Sequence, residues 1–171
     1  MARKYARPSL ADFSFTVYSQ SEDKQSLEIQ GSFMDIKRLG IGSIVGTIAL
    51  NLLGMLIWGN LFTEFFDANS GSASGLDREA PIIWAVLLGT LFYAALLTLA
   101  LEARGASTSM IDGLKVGVVV GALLWGTADF IFFGFTNVST LTGSIADILL
   151  EGVRGGIAGG VIAFVLSKVG D

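Results

Sequence analysis

Four long runs of apolar residues alternate with short polar stretches along this chain. They extend from Leu39 to about Asn60, from Pro81 to Leu101, from Gly113 to Phe135 and from Ile145 to Ser167. A helix needs about 20 mostly apolar residues to cross the hydrocarbon core of a bilayer, and each run meets that length. Within lipid the backbone must satisfy its own hydrogen bonds, so such runs are helical. The pattern therefore predicts an all-α membrane protein: a four-helix transmembrane bundle over residues 34–171, with spans near 39–60, 81–101, 113–135 and 145–167. Pro81 suits the first turn of the second span, where a missing N–H costs nothing.

Residues 1–33 read differently. Phe13, Phe15 and Val17 alternate with Ser14, Thr16 and Tyr18, which is strand periodicity, and Leu27-Glu28-Ile29 forms a second short run after the polar stretch Gln20 to Lys24. This segment has the pattern of a β-hairpin. An isolated hairpin is marginally stable in water. Docking of Phe13, Phe15 and Val17 to a partner, by strand addition or burial, is one reading of it; an unstructured tail is the other. Gly31-Ser32 just ahead of Met34 also allows a junction or an upstream start, with the four spans all following Met34. The first apolar run lies behind this polar segment and is long enough to span, so it reads as a retained helix rather than a cleaved signal.

Composition agrees with a lipid environment. Hydrophobic residues make up 52% of the chain and charged residues 15%, against about 25% charged in a typical soluble domain. Cysteine and histidine are absent. That excludes disulfides, thiolate nucleophiles, Cys/His zinc sites and a Ser-His-Asp arrangement. Neither a metal nor a cofactor is indicated, and the expectation is a non-enzymatic protein.

The distribution of Lys and Arg predicts orientation. Arg3, Lys4, Arg7, Lys24, Lys37 and Arg38 precede the first span, Arg104 and Lys115 flank the loop between the second and third, and Lys168 follows the fourth. Only Arg78 occupies the other two loops. The bias predicts that both termini are cytoplasmic. Trp58 and Trp84 flank the first outer loop, where interfacial aromatics belong. That loop is acidic through Glu64, Asp67, Asp77 and Glu79, and Gly71 to Gly75 reads as its flexible part. The basic residues fit topology, not a nucleic-acid surface.

Glycine is phased at four-residue intervals. Gly42 and Gly46 share a face of the first span, Gly113, Gly117 and Gly121 of the third, and Gly152, Gly156 and Gly160 of the fourth, beside Gly155 and Gly159. Small residues let helix backbones approach closely, which drives association where lipid offers no hydrophobic force. The two adjacent stripes on the fourth span predict contact with two neighbours at once, within the chain or between subunits.

Ionisable groups inside spans are expensive, about 2.5 kcal/mol or more on insertion scales. Asp129 lies in the third span, and Asp147, Glu151 and Arg154 share one face of the fourth through i,i+4 and i,i+3 steps. Asp129 is expected to reach Arg154 or Glu151 across the short third loop. Arg154, able to serve two carboxylates, is expected at the centre. The surplus negative charge calls for a proton or a cation. A buried ion-pair lock is the plainer reading of this cluster, and a proton- or solute-handling site the sharper one. Asn51, Thr127, Thr136 and Asn137 are candidates for supporting hydrogen bonds.

The stretch Gly117-x-x-x-Gly121-x-x-x-Trp125, then Asp129, Thr136-Asn137-Val138-Ser139-Thr140-Leu141, Asp147 and the last glycines resemble small bacterial four-helix inner-membrane families of unknown function. The resemblance covers about a quarter of the chain, excludes the segment before Met34, and implies membrane placement but no activity. Two functions are therefore expected from the residues themselves. The first is a non-enzymatic subunit of a larger membrane complex, or a homo-oligomer, with membrane lipid, other subunits or itself as partners. The second is a small transporter or channel for protons, cations or a small solute, built on the Asp/Glu/Arg cluster.

Overall fold

The computed structural model describes residues 35–76, 78–105 and 109–169. Phe13, Phe15 and Val17, and the hairpin read for their segment, lie outside these residues. The described chain forms α1 (Ile36–Leu56), which continues into a π-helical turn (Ile57–Leu61), then α2 (Thr63–Ala68), α3 (Ile83–Glu102), α4 (Met110–Phe135) and α5 (Leu141–Leu166). Four of these helices, α1 with its π turn, α3, α4 and α5, are long and apolar enough to cross a membrane. Trp84, Phe92, Leu123 and Phe135 face outward on their surfaces. This is the exterior of an integral membrane protein, where lipid rather than water meets the side chains.

Capping residues set two boundaries earlier than apolar runs alone suggest. α4 begins at Met110 because the Ser109 hydroxyl accepts the Asp112 N–H at 3.2 Å and donates to the Asp112 carboxylate at 2.6 Å. α5 begins at Leu141 because Thr140 Oγ1 accepts the Gly143 N–H at 3.1 Å. Pro81 lies just before α3 rather than in its first turn, since α3 starts at Ile83.

The tightest packing joins α4 to α5, backbone on backbone. A Cβ placed on Gly117 would lie 2.6 Å from the Gly155 carbonyl carbon, and one on Gly121 would lie 2.5 Å from the Glu151 carbonyl oxygen. In return, a Cβ on Gly159 would sit 3.1 Å from the Gly117 Cα. The second stripe of α5 turns the same way: Gly152 faces Val118 and Ala122, Gly156 faces Val118 and Leu114, and Gly160 faces Met110 and Leu114. Both stripes face α4, and Gly155 also receives the Tyr93 hydroxyl of α3, so the glycines of α5 meet two neighbours within the chain. Helices this close are wide enough in contact to use both adjacent rows. Gly113 completes the set against Gly159 and Ala163.

α1 uses its own glycines to receive the other two helices. Gly42 takes Thr98 of α3, and Gly46 takes Ala94 of α3 and Ile162 of α5. Leu50, Ala94, Leu97, Leu101, Ile162 and Leu166 fill the space between α1, α3 and α5. Asn51 adds a polar tie by donating to Thr90 Oγ1 at 2.8 Å.

Each end of the bundle is fastened. At the Arg38 end, Arg38 pairs with Glu102 at 3.1 Å and donates to the Leu166 and Val169 carbonyls at 3.2 and 3.1 Å. One side chain thus joins the ends of α1, α3 and α5. At the opposite end, Gly71 N–H donates to the Val138 carbonyl, Ala73 N–H to Asn137 and Thr140 N–H to Asn69, each at 3.0 Å. The segment after α2, expected to be a flexible loop, is instead pinned by backbone bonds to the α4–α5 connection where it crosses it.

Candidate functional site

Four charged residues well inside α4 and α5, Asp129, Asp147, Glu151 and Arg154, divide into two pairs linked by Trp58. α5 places Asp147, Glu151 and Arg154 along one face, as their spacing dictates. The first pair is Glu151 and Arg154, with Glu151 Oε1 accepting from Arg154 Nη1 at 2.6 Å. Both are buried, with Glu151 only 2% exposed. With α5 starting at Leu141, Glu151 lies about 15 Å along the helix at 1.5 Å per residue, close to the middle of a bilayer.

Arg154 is held from three sides. Its Nε donates to the Leu50 carbonyl of α1 at 3.0 Å. Its guanidinium carbon lies 5.3 Å from the centroid of the Trp58 ring, a cation–π contact. Gly54 makes room for it: a Cβ there would stand 3.2 Å from Nη2. In this bundle Arg154 forms an ion pair with Glu151 alone among the described residues. The expectation that it serves two carboxylates is corrected, because its remaining donors point to α1.

The second pair is Asp129 and Asp147. Asp129 of α4 and Asp147 of α5 line the same cavity. Among the described residues Asp129 forms no ion pair with Arg154, and it shares that cavity with Asp147, one turn nearer the Trp58 end. Trp58 Nε1 donates to Asp147 Oδ1 at 2.7 Å. Asp129 Oδ2 is enclosed with no donor.

Trp58 reaches this position from the π-helical turn, where the Phe62 N–H closes back on the Ile57 carbonyl at 2.9 Å. A π turn inserts one residue into the ladder and rotates the residues beyond it, and such turns recur at functional sites. Phe66 of α2 packs beside the Trp58 ring at 6.3 Å between centroids.

The acidic pair opens into a cavity of about 260 Å³ at this end of the bundle. Trp58, Asn69, Ser139, Ser144, Asp129 and Asp147 are among the residues lining it. The Ser139 and Ser144 hydroxyls bond each other at 2.8 Å. A cavity with this many polar partners has what water needs. Towards the Arg38 end, Leu50, Leu97, Leu101, Ile162 and Leu166 form an apolar core beside the buried hydroxyls of Ser43 and Thr98.

Not every polar residue singled out by sequence joins the site. Asn51 ties α1 to α3. Thr127 and Thr136 turn their hydroxyls onto their own helix, to the carbonyls of Leu123 and Phe132. Asn137 is exposed and contributes its backbone carbonyl to the loop clasp. Sequence reasoning assigned Trp58 to the interface, met Ser139 only within the resemblance and did not single out Ser144. A tryptophan and two serines at the ends of apolar runs carry no signal that separates a lining residue from an interfacial one.

Compared with protein-family models, curated proteins and solved structures, the chain matches none.

Proposed function

We propose that this protein is a small proton-handling membrane transporter, with the Asp129–Asp147 pair as the group that takes up and releases the proton. One observation carries the reading: two acidic side chains line the same cavity at one end of a transmembrane bundle, one of them with a buried oxygen that meets no donor. The Lys and Arg bias assigns that end to the outer side and both termini to the cytoplasm. Trp58 couples the acidic pair to Arg154, since it donates to Asp147 and lies under the guanidinium. A change of charge at Asp147 is therefore felt at the α1–α5 contact that Arg154 makes with Leu50.

The packing supports two bodies that move against each other. α4 and α5 are joined through glycine backbones, and α1 and α3 through Gly42 and the Asn51–Thr90 bond, with Gly46 and Ile162 meeting at the seam between them. Rocking at the α1–α5 seam is the motion that opens the Arg38 half. Assembly into a larger complex draws less support, because the glycine faces that motivate it are occupied by helices of the same chain.

The test is proton uptake into proteoliposomes under a potassium diffusion potential, read by an entrapped pH dye. Uptake above that of empty liposomes is expected, with Asp129→Asn and Asp147→Asn each lowering it at least about tenfold, the loss of a protonatable group typically costing 10² or more. Uptake equal to empty liposomes, or unchanged in both variants, overturns the reading.

A further inference from the structure

The cavity that Asp129 and Asp147 line holds about 260 Å³, far more than a proton needs. A dry cavity of about 150 Å³ holds benzene, so this one has room for a guest of roughly ten non-hydrogen atoms. Its lining carries two acidic side chains and, among the described residues, no Lys or Arg. Arg154, on the Trp58 ring, is already paired with Glu151. The wall therefore favours a guest of positive charge.

The side-chain donors of the lining are turned back on the protein. Trp58 Nε1 donates to Asp147 Oδ1 at 2.7 Å, Asn69 Nδ2 to the Phe65 carbonyl at 2.9 Å and Ser70 Oγ to the Asp67 carbonyl at 2.8 Å. The Ser139–Ser144 bond takes up one hydroxyl hydrogen more. Acceptors are left over. Of the Asp129 and Asp147 carboxyl oxygens, hydrogen bonds among the described residues reach Asp147 Oδ1 alone, and both residues are half-buried rather than sealed. The site therefore selects a donor, and an ammonium group brings three N–H donors with the matching charge. The rest of the wall suits a carbon body. Trp58 and Phe66 both line the cavity, with ring centroids 6.3 Å apart, and aromatic faces attract cations. Among the described residues no three acidic side chains gather as ligands for a metal ion, so an organic cation fits better than a bare one.

We infer that this cavity binds a small primary ammonium compound with an apolar body, in exchange for the proton of the Asp129–Asp147 pair. The ammonium group lies at the carboxyls and the carbon body against Trp58 and Phe66. Charge balances, because one ammonium enters for each proton that leaves. The inference rests on the proposed role of this pair as the proton-binding group and names the solute that competes for it.

The test uses the full chain in nanodiscs with its tryptophans replaced biosynthetically by 5-fluorotryptophan, and phenethylammonium as probe. The chain has three tryptophans, Trp58, Trp84 and Trp125, which gives one ¹⁹F resonance each. The Trp58 resonance is expected to shift saturably, while Trp84, which faces outward, reports partitioning into lipid. Asp129→Asn and Asp147→Asn are each expected to weaken binding at least about tenfold, the scale of one charge-assisted hydrogen bond. Phe66→Leu, which keeps the bulk and removes the ring, is expected to weaken it about threefold. A Trp58 shift that only follows that of Trp84 without saturating overturns the inference. So does an equal Trp58 shift with phenethyl alcohol or with sodium chloride, or binding unchanged in both Asn variants. The two readings fail separately. Proton uptake in proteoliposomes with no saturable Trp58 shift overturns the amine site alone. A saturable shift that the Asn variants remove, in a protein without proton uptake, supports amine binding and overturns the proton reading alone.

Discussion

At the scale of single residues, the chain solves the problem of charge in lipid by pairing. Glu151 and Arg154 neutralise each other within one helix turn, and Arg154 gains further partners in Leu50 and Trp58. Removing one member leaves the other buried and uncompensated. Arg154→Met is therefore expected to lower stability by about 3–5 kcal/mol, and Glu151→Leu/Arg154→Met to recover most of it. Thermal unfolding in detergent checks this: a double variant as unstable as the single one would contradict pairing as the reason. The Glu151–Arg154 step was legible in the sequence because an i,i+3 spacing leaves little freedom. The partner of Asp129 was not. Whether it meets Arg154 or Asp147 depends on how far α4 slides along α5, and that register is set by glycine contacts a few turns away.

At the scale of elements, glycine decides which helices touch. Gly117 lies against the Gly155 backbone, whereas Gly134 has nothing within 4 Å. Gly117→Ala is expected to destabilise by about 1–3 kcal/mol or more through overpacking. Gly134→Ala is expected to change stability by less than about 0.5 kcal/mol in either direction. Equal effects would show that the α4–α5 contact is not made through backbones. The four spans could be read from apolar runs, and the close packing of glycine faces from the four-residue period. Which neighbour each face meets could not, because a stripe of missing side chains fits any backbone. Helix starts were missed where a cap, Ser109 or Thr140, lies outside the apolar run. The π turn that delivers Trp58 has no sequence period of its own.

At the scale of the whole molecule, polarity is asymmetric along the bundle. One half holds the cavity and the acidic pair; the other is filled by apolar side chains and closed by the Arg38–Glu102 clasp. That clasp crosses the proposed seam, since Arg38 of α1 holds the last carbonyls of α5. Arg38→Gln is expected to speed proton uptake if opening of the Arg38 half limits it, with the pH-dye assay as the check; a slower rate would place the limiting step elsewhere. The asymmetry was invisible in the sequence, where Arg38 and Lys37 read alike as orienting charges. Burial separates them: Arg38 is buried and Lys37 exposed.

The most direct measurement is water access along the bundle. The chain contains no cysteine, so single cysteines report without background. Ser144→Cys, on the cavity, is expected to react with a small membrane-impermeant methanethiosulfonate in sealed vesicles, and Leu97→Cys, in the apolar half, to stay unmodified. An unreactive Ser144→Cys alongside a reactive Leu97→Cys would contradict water entry through the cavity that Asp129 and Asp147 line.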